Sequence, residues 1–147
     1  MDTLQEFLTA RGYTKVKLKL NATNHFEIKA VINGVKGRFI LDTGASSSCI
    51  DFEAAKTFHL LAEETEVKAT GAGASNMYTQ LSKKNKVKIG KWKSKHTALI
   101  LFNLSHVNQG LSSQNARAVD GIIGADILKK SKAVIDYNKK YLYLKLQ

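Results

Sequence analysis

Apolar and polar residues alternate strictly through residues 15–20, KVKLKL, the period of a half-buried strand. The same period returns in HFEIKAVINGVKGRFIL, residues 25–41, where Asn33-Gly34 separates two apolar runs. Asn-Gly is the strongest short hairpin signal. It predicts antiparallel strands over residues 25–32 and 35–41, the second leading into Asp42. KVKIGKWKSKHTALILFNL, residues 86–104, predicts two more strands around Gly90, and AVIDY and YLYLKL predict a closing hairpin around NKK. Helical spacing is brief. Thr3 and Glu6 fit a capping box before Leu4, Phe7 and Leu8, which share one helical face, and Gly12 stands where a helix ends. DFEAAKTFHLL, residues 51–61, reads as a short helix capped by Asp51. TGAGASNMY, residues 70–78, reads as a hairpin tip of small residues, and residues 105–119 as a polar, irregular stretch with a helical turn. GIIGADILKK is an apolar run, a glycine and a short helix. Many short strands, few helices and no helical crossover of parallel-sheet length predict a mostly β protein, a barrel or sandwich.

A length of 147 residues suits one domain with a real core. There is no proline, so glycine, asparagine and serine must make the turns. The single cysteine, Cys49, rules out an intrachain disulfide and any multi-cysteine zinc site. It adjoins the apolar run that follows and reads as a small buried hydrophobe rather than a nucleophile. The histidines, His25, His59, His96 and His106, are scattered with no His-x-x-x-His pair, so no metal is expected. The start has acids, no basic region and no long apolar run, and nothing approaches the ~18 apolar residues of a membrane span. The expectation is a cytoplasmic chain, though a leader cut from it would leave the same start.

The net charge of +11 is uneven. Residues 83–95 hold seven lysines and no acid. Such a run suits nucleic acid or acidic peptides. Here lysine alternates with Val87 and Ile89, only Trp92 accompanies it, and there is no arginine. A solvated strand face is therefore the preferred reading, and nucleic acid is not expected as a partner.

The candidate chemistry lies in FILDTGAS. Phe39, Ile40 and Leu41 lower the local dielectric just before Asp42, and a charge there is costly unless it is paired, hydrogen-bonded or used. Gly44 permits a tight turn that bares N–H groups toward the carboxylate, and Thr43 offers a hydroxyl to hold it. A lone carboxylate so placed serves as a structural acid or a cap. Two such carboxylates sharing a proton form an acid–base pair able to activate water. A second motif, DGIIGADIL at residues 120–128, is apolar-apolar-glycine before a helix start.

FILDTGAS, TGAGAS and GIIGADIL, in this order and spacing, resemble the retropepsin-like aspartic proteases over residues 25–147, with residues 1–24 forming an N-terminal helix and leading strand. The resemblance implies a closed, mostly antiparallel β-barrel with one or two short helices. It implies an endopeptidase that needs no metal or cofactor and acts on peptides or proteins. One chain carries one Asp-Thr-Gly, so the site would need a homodimer in which each chain gives its Asp42. Thr43 would bond across the two-fold axis, Gly44 would meet the peptide backbone, and Ala45 would complete the loop. Thr70, Gly71, Ala72, Gly73 and Ala74 would belong to a flap over the substrate. Ile122, Ile123 and Gly124 would pack behind the Asp42 loop, and YLYLKL would pair with its mate in a dimer sheet. Retroviral members usually carry an acid two residues past the first glycine and an arginine after the second. Here Ser46 and Ala125 stand there, which suggests a non-viral branch.

Three other readings compete. A dimeric peptide-binding or scaffold domain of the same fold could be catalytically silent, although it would have no need of the Asp42 carboxylate. A basic nucleic-acid-binding barrel would want aromatic residues grouped with its lysines. A glycosidase would need a second carboxylate, for which Asp120 and Asp136 are candidates.

Overall fold

The Thr3 hydroxyl accepts the Glu6 N–H at 3.1 Å and caps α1 (Leu4–Thr9). The computed structural model describes residues 1–64, 69–71 and 74–147. Of the apolar face expected on α1 only Leu8 is buried; Leu4 and Phe7 stay exposed, with the Arg11 guanidinium 3.6 Å above the Phe7 ring. The alternating stretch 15–20 is two strands rather than one. β1 (Tyr13–Lys17) and β2 (Lys19–Leu20) part at Leu18, whose side chain enters the core and whose N–H bonds the Lys140 carbonyl at 2.9 Å. Alternation reports which side chains point inward, not which neighbour each half pairs with.

β3 (Phe26–Ile32) and β4 (Val35–Leu41) form the Asn-Gly hairpin, with Ile32 opposite Val35. Asn33 and Gly34 take φ of 49° and 85°. That left-handed pair is open to asparagine and glycine at little strain, and its twist suits the strands. The chain continues through β5 (Cys49–Asp51), a 3₁₀ turn (Phe52–Ala54), β6 (Ala62–Glu64), β7 (Ala69–Gly71), β8 (Ala74–Met77), β9 (Thr79–Ile89) and β10 (Trp92–Phe102). It ends in α2 (Ser105–Ser113), β11 (Gly121–Ile123), α3 (Ala125–Lys130), β12 (Val134–Asp136) and β13 (Tyr141–Lys145).

Six strands close into a barrel in the order β3-β4-β11-β5-β10-β9, returning to β3 through Ile32 opposite Val87. Closure leaves no edge within the ring for another chain to template on. The protein is mostly β, with three short helices among the described residues, and the barrel is antiparallel except at β4–β11 and β5–β10. The helix expected over residues 51–61 shrinks to the 3₁₀ turn. Asp51 is drawn into β5 opposite Phe102, and its carboxylate accepts the Leu104 N–H at 3.4 Å.

β13 lies between β1 and β12 in a separate three-stranded sheet. This corrects the expectation that YLYLKL pairs with a second chain, because both edges of β13 are taken within its own chain. The barrel interior holds Phe39, Phe58, Ile50 and Trp92, all nearly inaccessible to solvent. The lone tryptophan is thus core and offers no surface for stacking a base. Lys88 and Lys93 point outward from strands whose inner positions are Val87, Ile89 and Trp92, as a solvated face requires. The stretch 105–119 is more ordered than its polarity suggested. α2 lays Leu111 on an outer apolar cluster with Ile40, Cys49 and Ile122, and Asn108 ties it down through both the N–H and carbonyl of Val119. Among the described residues no helix is long and apolar enough to cross a membrane.

A buried charge pins the β3–β4 hairpin. Glu27 of β3 is 6% exposed and pairs with the Arg38 guanidinium of β4. Burial alone would push the Glu27 carboxyl up, but the Asn21 side-chain hydrogen bond at 2.9 Å and the Arg38 contact outweigh it and hold the group below its ordinary 4.5. A carboxyl lower in the folded than in the unfolded chain adds stability above the unfolded value, and that stability is lost as pH falls through the folded value. Glu27→Gln is expected to lower stability by about 2 kcal/mol at neutral pH and to flatten the loss below the ordinary carboxyl range. Urea midpoints for both proteins across that acid range check it; equal pH slopes would refute the assignment.

Candidate active site

The barrel's one β4–β11 junction builds the site. Gly121, Ile122 and Ile123 run parallel to Phe39, Ile40 and Leu41 in register. The two strands therefore end together, and their following loops, Asp42-Thr43-Gly44 and Gly124-Ala125-Asp126, lie side by side. The Asp42 N–H bonds the Ile123 carbonyl at 3.0 Å, and the Ala125 N–H bonds the Ala45 carbonyl at 2.7 Å. Ile122 points to the outer cluster and Ile123 into the barrel, as successive strand residues must. At Gly124 an added Cβ would stand 2.5 Å from the Ala45 carbonyl oxygen. Only glycine lets the two backbones approach this closely.

The turn after β4 is held by the carboxylate itself. Asp42 Oδ1 accepts the Gly44 N–H at 2.9 Å, and the Ala45 N–H returns to the Asp42 carbonyl at 3.2 Å. The Thr43 hydroxyl, expected to hold this turn, takes no partner among the described residues. Phe39, Ile40 and Leu41 are buried, whereas Asp42, Thr43 and Gly44 are exposed and Ala45 is half-buried. Within one chain the charge on Asp42 thus emerges into solvent, and the burial argued from the preceding apolar run stops at Leu41.

Sequence reasoning passed over two residues that join the loops. Ser48 is fully buried; its N–H and hydroxyl both donate to Asp126, the hydroxyl at 2.7 Å, and its Oγ accepts the Gly124 N–H at 2.8 Å. Asp126 also accepts the Ile127 N–H at 2.9 Å. The available signal was an acid in the first turn of a predicted helix, a position that favours negative charge, facing a run of serines. This neutral-donor link ties the two loops together beside Ser46 and Ala125.

Thr70 and Gly71 lie in β7 and Ala74 opens β8, which pairs with β7 antiparallel. Ala72 and Gly73 lie outside the described residues. Beside Asp42 opens a cleft of about 410 Å³, bordered by Leu41, Asp42 and Thr43 and by residues of β2, β3 and the β12–β13 turn.

The aspartyl protease family model matches residues 28–127, from β3 into α3 and so across both loops. The chain belongs to the aspartyl protease family. Among solved structures, a retropepsin-like aspartic protease from Rickettsia conorii is similar at 24% identity and a TM-score of 0.57, covering 92% of this chain and 91% of that one. The retroviral protease-like domain of Ddi1 from Leishmania major gives 19% identity and 0.58, covering 86% and 90%. EIAV protease, solved with the inhibitor HBY-793, gives 17% and 0.55, covering 76% and 92%. These likenesses establish a retropepsin-like fold. No curated protein matches the chain.

Other groups of this aspartyl protease family member serve structure. The Asp120 carboxylate accepts the Arg38 N–H at 2.9 Å, and that of Asp136 accepts the Lys139 N–H at 3.0 Å in the β12–β13 turn. Both candidate second acids thus hold turns or neighbouring strands through a backbone N–H, the role of a structural acid. Burial pushes the Cys49 thiol up to about 12, so it is no thiolate nucleophile. Among the described residues no group of three or more histidine, cysteine or acidic side chains gathers to hold a metal.

Proposed function

We propose that the chain is an aspartic endopeptidase, active as a homodimer in which two Asp42 side chains activate one water. The observation that carries this reading is the Asp42 carboxylate itself. It accepts the Gly44 N–H, and its own backbone is held where the Asp42 N–H donates to the Ile123 carbonyl, yet it stands exposed beside a cleft. The Asp126 carboxylate, by contrast, is taken up by three donors, the Ser48 N–H and hydroxyl and the Ile127 N–H. One chain brings one such group, and general acid–base catalysis needs an acceptor and a donor together. In the dimer, the ionised Asp42 takes a proton from water as the oxygen attacks the scissile carbonyl. The other, protonated, gives its proton to the carbonyl oxygen. The resulting diol collapses as a proton passes to the amide nitrogen, the C–N bond breaks, and the carboxyl and amine products leave. Thr43 and Gly44 line the loop that meets its mate and the peptide, and Thr70, Gly71 and Ala74 belong to the segment that covers the substrate.

Specific activity should therefore fall on dilution. Cleavage of a casein or peptide library is followed against enzyme concentration, with sedimentation reporting the oligomeric state. Rates linear in enzyme down to concentrations where only monomer sediments would exclude the two-chain site. The alternative, a silent peptide-binding or scaffold domain, predicts no cleavage at any concentration.

A further inference from the structure

Four neighbouring strands of the barrel wall present charge of one sign. Across β10-β9-β3-β4 the register sets Lys93 opposite Lys88, Lys88 opposite Val31 and Val31 opposite Lys36. Trp92, Val87 and Ile32, next along their strands, point into the core, so this row faces outward and its lysines are exposed. Lys86 and Lys29 stand on the same face, two residues along β9 and β3, and are exposed as well. Glu27 is the only acid in the four strands, and the Arg38 guanidinium already holds it. Among the described residues none of these lysines has an acid within ion-pair distance.

Alternation accounts for the outward direction of these side chains but not for their common sign. A face that needs only solvation can mix acids with bases, and like charges directly opposite on adjacent strands cost stability. Lys88 and Lys93 are such a pair. We propose that this face docks on an anionic lipid bilayer, its lysines meeting the headgroup phosphates. The cations spread in two dimensions, about 14 Å across the row, on the outer wall of a closed barrel. A planar array of negative charge meets them all together. A single nucleic-acid strand instead wants a groove with aromatic platforms, and the one tryptophan of these strands is turned inward. Lysine is a compact cation that meets phosphate without reading anything else, and Arg38, the one guanidinium here, is engaged by Glu27. Each lysine near an anionic leaflet strengthens adsorption about fivefold, so several acting together give a reversible association. Lys36 lies near the start of β4 and Asp42 just past its end, about 20 Å along the strand. Docking therefore leaves the Asp42 loop clear, and the proposal stands apart from the reading of Asp42.

The test uses vesicles of phosphatidylcholine, alone or with about a third phosphatidylglycerol, sedimented with the full chain as wild type, Lys88→Glu, Lys88→Gln or Lys139→Glu. The wild type should bind only the phosphatidylglycerol vesicles, and more weakly as salt rises. Lys88→Glu should weaken that binding by at least about fivefold, and Lys88→Gln by less. Lys88→Glu also turns a like-charged cross-strand pair into an opposite one, so its urea midpoint should hold or rise while binding is lost. A variant that loses binding through misfolding would show the reverse. Lys139→Glu makes the same change in net charge on the exposed β12–β13 turn and should bind within about twofold of wild type. The proposal is overturned by binding to neither vesicle, by equal binding to both, or by equal losses in Lys88→Glu and Lys139→Glu. A loss in Lys88→Glu with none in Lys88→Gln and a lowered midpoint would mark distortion and overturns it too. So does a DNA duplex that strips the wild type from the vesicles at equal phosphate concentration, which would make the face a nucleic-acid surface.

Discussion

Asp42→Asn is expected to lower peptide cleavage by at least about 10³-fold while the fold and the dimer persist. Asparagine keeps the shape of aspartate, and its side-chain oxygen can still accept the Gly44 N–H that the carboxylate accepts at 2.9 Å. The side chain is exposed in the single chain, so unfolding stability should change by no more than about 0.5 kcal/mol. What asparagine cannot do is take a proton from water. Mixing the two proteins gives a sharper measurement. If each site needs both carboxylates, an equal mixture keeps only about a quarter of its dimers intact, and activity follows the square of the wild-type fraction. Activity proportional to that fraction would mean that each chain works alone.

The second large effect belongs to Gly124→Ala. Gly124 has φ −107°, which any residue adopts, so backbone conformation is not the obstacle. The added Cβ would lie 2.5 Å from the Ala45 carbonyl oxygen and 3.1 Å from the Ser47 carbonyl carbon. Both are backbone atoms, and neither can turn away as a side-chain end could. Relief requires the loop after Asp42 to move off the start of α3, straining the Ala125-to-Ala45 and Gly124-to-Ser48 hydrogen bonds. We expect about 2–4 kcal/mol of destabilisation. Cleavage should fall further than the folded fraction does, because the same loop carries Asp42. Gly110→Ala is the control: it sits in α2 with nothing within 4 Å of the added methyl, and should stabilise by up to about 1 kcal/mol. Urea midpoints and cleavage rates on the three proteins decide it. A Gly124→Ala protein as stable and as active as wild type would show that the close approach is not needed.

The sequence by itself determined the features that rest on neighbouring residues. Asn33-Gly34 dictates its turn because two successive positive φ values are open to few residue pairs. Alternation marks the inward faces of β9 and β10, and the Asp-Thr-Gly and Ile-Ile-Gly motifs mark the two loops of the site. The tertiary structure alone decided the features that depend on which distant segments meet. It split residues 15–20 at Leu18, because the two halves find different partners in β13 and β3. It put β13 between β1 and β12, so that a strand written as an edge became a centre. It left Leu4 and Phe7 exposed, since periodicity defines an apolar face without saying what covers it. It also brought Ser48 to Asp126 across 78 positions of chain, a hydrogen-bonded pair no local pattern announces. Asp42 itself divides between the two. Its type and its turn were legible, but its exposure was not, because that depends on where β4 ends at the mouth of the barrel.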